Sequence, residues 1–108
     1  MRDAVYLKFF VIESQRHGGQ LVYQWLLREA SALGLPGGSA FRAVSGFGRH
    51  HVLHEARFYE LAGELPMEVV FVTDRAQADQ LIAHVAVAGL SLFHYLMAAQ
   101  CGTTGSDD

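Results

Sequence analysis

Hydrophobic positions recur along this chain with two periods, and the switches between them divide it into six main elements. Residues 4–12 (AVYLKFFVI) are apolar on both alternating faces. Val5, Leu7, Phe9 and Val11 form one face; Tyr6, Phe10 and Ile12 form the other, broken only by Lys8. A strand of this kind is central to a sheet and covered on both sides. Helices of the same chain can supply one cover, and another subunit the other. Residues 13–19 make a polar turn, and a helical period runs over 20–33 with Leu21, Val22, Trp25, Leu26, Ala30 and Leu33 as its apolar stripe. Gly34 stops that helix and Pro36 lies just beyond. Gly37-Gly38 then turns the chain into a second strand over 39–44.

After a long connection, residues 66–73 (PMEVVFVT) read as a third strand. Asp74 is a good helix N-cap, and Gln77 stands at the capping-box position. A second helix follows over 75–88, with Ala78, Leu81, Ile82 and Val85 on its buried face and Gly89 at its end. Residues 90–98 (LSLFHYLMA) read as a fourth strand, and 99–108 as a flexible polar tail. The order is β-α-β-β-α-β, the ferredoxin-like α+β arrangement, in which two helices pack on one face of a four-stranded antiparallel sheet. The domain spans 1–98, and its long mobile loop covers about 49–64. The other sheet face stays apolar through residues such as Phe10, Ala43, Val70 and Phe93.

Composition adds one demand to this pattern. The chain has 108 residues, 51% of them hydrophobic and 18% charged. That is more apolar surface than a small monomer can bury, so the open sheet face calls for self-association. A net charge of −3 supplies no basic field for nucleic acid. A single cysteine, Cys101, rules out an intrachain disulfide and a four-cysteine zinc site. No run reaches membrane-span length, and the first residues lack signal-peptide features, so a cytoplasmic protein without direct membrane insertion is expected.

The connection over 46–64 carries the candidate chemistry. Ser45-Gly46-Phe47-Gly48-Arg49-His50-His51 follows the second strand. Two glycines around an aromatic residue let the backbone turn tightly and point amide N–H groups outward, and the arginine adds a bidentate anion partner. Its structural alternative is a plain turn with a solvated arginine. The signature resembles the loop base of the PII signal-transduction proteins. Over roughly 4–98 the chain also resembles a PII-like family classed as a domain of unknown function. That likeness rests on His17-Gly18, Leu21-Val22-Tyr23, Gly34-Leu35, the strand Phe41 to Val44, Gly46-Phe47-Gly48, His54, Leu65-Pro66 and Val69 to Val72.

The resemblance implies a homotrimer with sheets lining its inside. It implies an adenine nucleotide or small anion held between subunits by Gly46, Phe47, Gly48, Arg49 and His50, with Arg42 adding positive charge. It also implies a loop that docks on a protein partner such as a membrane transporter or channel. The chain departs from the PII pattern at His50-His51-Val52, and it has no Lys or Arg after Arg75. ATP would lose charge compensation there, so ADP, AMP or a small anion fits better. A rival reading places a divalent metal on His50, His51, His54 and Glu55, as in a trimer similar to the CutA proteins. No paired carboxylates and no nucleophile motif point to an enzyme, and no cofactor is required by any motif.

Overall fold

The computed structural model describes residues 1–46, 54–55 and 65–106, with 54 and 55 described by backbone alone. β1 (Arg2–Ile12) leads into a tight hairpin of β2 (Arg16–His17) and β3 (Gln20–Leu21), followed by α1 (Val22–Ala32). Then come β4 (Ser39–Arg42), a short ladder of β5 (Ser45–Gly46) with β6 (His54–Glu55), and β7 (Pro66–Thr73). α2 (Arg75–Val87) and β8 (His94–Cys101) complete the chain. The main sheet has the order β4-β7-β1-β8, and all its pairings are antiparallel. This is the ferredoxin-like fold that the order of elements predicts.

β1 sits at the centre because both of its faces are apolar. Leu7, Phe9 and Val11 turn toward the helices, beside Met67, Val69 and Phe71 of β7. Val22, Trp25, Leu26 and Ala30 of α1 and Ala78, Leu81 and Val85 of α2 close over them. Phe9 meets Phe71 edge-on, with ring centroids 6.4 Å apart, a favoured aromatic geometry. The alternate positions, including Tyr6, Phe10, Ile12, Val70 and Val72, form the opposite face, which carries no helix. On that face Phe41 is 58% exposed and Met97 is 50% exposed.

Local chemistry moves several element boundaries. Gly18 and Gly19 both have positive φ, 57° and 80°. That pair of angles closes a two-residue hairpin, so Gln20 and Leu21 join a strand and α1 starts at Val22. β4 ends at Arg42, two residues earlier than its pattern predicts. Ala43 still donates to the Pro66 carbonyl at 2.9 Å, but Ser45 and Gly46 pair in another ladder. β8 starts at His94 rather than at residue 90. Gly89 turns the chain at φ 81°, and Leu90 and Leu92 pack against the core before the ladder begins. At its other end β8 takes in Ala99, Gln100 and Cys101, residues that the polar pattern leaves to the tail. Their backbone groups pair with Arg2, Asp3 and Ala4 whatever their side chains.

Gln77 has a different part from the one its capping position predicts. Asp74 caps α2 as expected, accepting from the Gln77 backbone N–H at 2.7 Å. The Gln77 side chain instead donates to the Gly34 carbonyl at 2.8 Å and accepts from the buried Thr73 hydroxyl at 2.5 Å. It thus satisfies an open carbonyl past the end of α1 and a hydroxyl in the core at once. Gln77→Leu should lower stability by about 1–3 kcal/mol, read by urea denaturation, because Thr73 loses its partner in a buried place. An unchanged midpoint would mean that water replaces the amide. Gly38 is a tight backbone approach. A Cβ there would lie 2.5 Å from Phe71 Cε1 and 3.1 Å from Leu27 Cδ2. Phe71 is fully enclosed and has nowhere to move, so Gly38→Ala should cost about 1–3 kcal/mol in the same assay.

Candidate functional site

The predicted site grows from the end of β4. Arg42, its last residue, donates through both Nε (2.8 Å) and Nη2 to the same oxygen, Glu13 Oε2. Glu13 directly follows β1, and its own N–H donates to the Leu65 carbonyl at 2.7 Å. The end of β1, the end of β4 and the approach to β7 are therefore tied at one corner. The Arg42 side chain remains more than half exposed, which limits the energetic value of this ion pair. Sequence reasoning marks Arg42 as a cation near the loop base, and the structure puts it there. Its partner Glu13 was not legible, because the two lie far apart in sequence.

Beyond Val44 the chain enters the second ladder, in which Ser45 pairs with Glu55 and Gly46 with His54. An antiparallel arm thus leaves the sheet next to β4, and Gly46 stands at its root. Gly46 has no positive φ, and a Cβ placed on it would meet nothing within 4 Å. Neither backbone conformation nor crowding within the described residues demands a glycine there. Phe47, Gly48, Arg49, His50 and His51 lie outside the described residues, as does most of the predicted loop 49–64. Among the described residues, no three His, Cys, Asp or Glu side chains are grouped to hold a metal ion.

The other end of β4 holds a feature that sequence reasoning missed. A cavity of about 370 Å³ opens there, lined by Gly37 and Gly38 ahead of the strand, by Ser39 at its start and by Val70 and Val72 on β7. Arg2, Cys101, Gly102 and Thr103 complete it. Two valines form part of its wall, a glycine-rich turn forms one rim, and Arg2 stands on the other. Cys101 is a half-buried free thiol. Gly37-Gly38 before an edge strand was the available signal; the contribution of the chain's last strand was hidden with the end of β8. Among the described residues, no helix is long and apolar enough to cross a membrane.

Comparison with known proteins places this geometry. The model of the DUF190 family, described as an uncharacterized ACR, matches residues 4–89. A UPF0166 protein of Aquifex aeolicus (strain VF5) is 25% identical over 79 residues, which is 73% of this chain and 75% of that protein. Among solved structures, CPII from Thiomonas intermedia K12, bound to ADP and bicarbonate, superposes with a TM-score of 0.64. It has 16% identity and covers 94% of this chain and 90% of its own. A putative PII-like signaling protein from Thermus thermophilus gives a TM-score of 0.60 at 11% identity, over 91% of this chain and 87% of its own. These structures share the PII-like fold with the chain, and the sequence match spans most of its length. The protein belongs to the DUF190 family.

Proposed function

We propose that the protein is a PII-like regulatory protein that assembles as a homotrimer and senses a small effector between its subunits. The observation that carries this reading is the arm rooted at the edge of the sheet. β4 is an edge strand with the arm root at one end and a cavity bordered by Arg2 at the other. A neighbouring subunit laid along that edge would close a cleft between them. The effector would meet the Gly46-Phe47-Gly48-Arg49 signature there, with Arg42 and His50 adding donors. CPII, of similar fold, binds ADP and bicarbonate, and in a second structure ADP, AMP and bicarbonate. An adenine nucleotide or a small anion suits the donors available here. The connection over 88–93 (AGLSLF) holds no cation, so few charges are available to compensate a triphosphate.

The effector acts by favouring one arm conformation over another. It must bind the two arm states with different affinity, since equal affinity shifts nothing. The arm then presents or withdraws a surface for a protein partner, such as a membrane transporter or channel. This role needs recognition and leverage, with no bond made or broken, and it is regulatory rather than enzymatic. A soluble cytoplasmic protein acting at the inner membrane face fits it.

Isothermal titration with ATP, ADP, AMP and cyclic AMP, with and without Mg²⁺, tests the reading. Saturable binding of ADP or AMP is expected, weakened about 10–100-fold in Arg49→Ala by loss of a charge-assisted contact. No heat with any of the four would sink nucleotide sensing. Gly46→Ala offers a sharper probe, because the added methyl meets nothing within the described residues. The variant should keep its folding stability, or gain about 0.4–1 kcal/mol from a stiffer unfolded chain. It should nonetheless weaken nucleotide binding where a ligand needs close approach to the backbone; unchanged affinity would remove Gly46 from the site.

A further inference from the structure

Among the described residues, the face of the sheet without helices carries one internal ion pair. Lys8 on β1 and Glu68 on β7 meet with Nζ 2.5 Å from Oε1. Strand alternation and register place Ala4, Tyr6, Phe10 and Ile12 on the same face, with Val70 and Val72 beside them and Tyr95 and Met97 across. Among the described residues, and apart from Arg2 at one rim, Lys8 and Glu68 are the charged positions of this face. The ammonium lies 5.7 Å, 5.8 Å and 5.6 Å from the ring centres of Tyr6, Phe10 and Tyr95. Three aromatic faces and one carboxylate thus form a cup around a cation, and the lysine side chain is only 17% exposed in the single chain.

The hydrogen bond to Glu68, then that to Tyr95, raises the proton affinity of Lys8 above its ordinary value, against the smaller opposing effect of burial. A raised folded-state value adds stability everywhere below the ordinary lysine range and loses it only as pH climbs through the raised value. Lys8 is therefore a permanent cation in neutral solution. It stands in the middle of a surface whose other members want to leave water.

Away from Arg2 at its rim the face is self-neutral, since its central cation and anion are already matched. A partner bringing net charge would find no complement, whereas a second copy brings the same apolar array and its own matched pair. We infer that the Lys8–Glu68 pair fixes how copies of this chain align across the open sheet face. This rests on the self-association reading above and adds the residues that give it one geometry. An apolar sheet face alone tolerates sliding by a strand or by two residues. A charge pair enclosed in the interface does not, because every misaligned arrangement presses a charged group against hydrocarbon. Removing one partner strands the other charge, while removing both restores a uniform apolar surface.

The experiment is sedimentation velocity over a concentration series of the full chain and of four variants: Lys8→Met, Glu68→Met, the double variant, and Lys8→Arg. Circular dichroism confirms the fold of each. The wild type should show one stoichiometry. Each single Met variant should dissociate at protein concentrations at least about tenfold higher. The double variant should recover most of that loss but distribute over more than one stoichiometry, and Lys8→Arg, which keeps the cation, should behave as wild type. Should a Met variant fail to fold, Glu68→Gln, which removes the charge at equal size, takes its place. Single variants that associate like wild type would overturn the inference, as would a double variant with one wild-type stoichiometry. A monomeric wild type at every concentration would instead overturn self-association itself, and this inference with it.

Discussion

The pairing of β1 with two neighbours at once is the constraint on which everything else depends. β1 is hydrogen-bonded to β7 on one side and to β8 on the other. Its eleven residues therefore have both edges and both faces committed, or awaiting commitment. One face is taken by α1 and α2 through Leu7, Phe9 and Val11. A shift of one residue in its register would carry those three into water and turn Lys8 into the core, so the register is strongly specified. β4, and with it the arm, hangs on β7 and inherits this alignment.

Much of that frame is legible in the residues because it follows from period and capping. β7 runs over the residues its pattern predicts, since Leu65-Pro66 opens it and Asp74 closes it by capping α2. The misplaced boundaries arise where backbone pairing overrides side-chain pattern. Gln20-Leu21 looks helical until the positive φ angles of Gly18 and Gly19 commit it to a hairpin. Ala99-Gln100-Cys101 looks like a tail, yet the opposite strand extends far enough to hold it. No local signal reports how long a distant partner strand is.

The candidate site divides in a similar way. Arg42 and Gly46 can be singled out by residue type and position, since a cation and a glycine beside a strand end have recognisable uses. What each touches is a long-range matter. Glu13 reaches Arg42 across the corner of the sheet, and Gly46 faces His54 across the arm. The cavity is harder still to foresee, because its walls come from four separated stretches of chain. Lys8 reads as a flaw in an apolar strand when taken alone. Only the register, which brings Tyr95 opposite and Glu68 diagonally across, makes it the centre of a cup.

The break between the two ladders has a mechanical consequence. Main-sheet bonding continues through Ala43, which still bonds Pro66, and the arm ladder starts at Ser45. Val44 alone stands between, and it is 80% exposed. Among the described residues, Val44 is thus the point on the β4 side where the arm ladder can take a direction of its own without loss of a main-sheet hydrogen bond. The hydrogen bonds of β4 to β7 are complete by Ala43, so the main sheet does not depend on the direction the ladder takes beyond Val44.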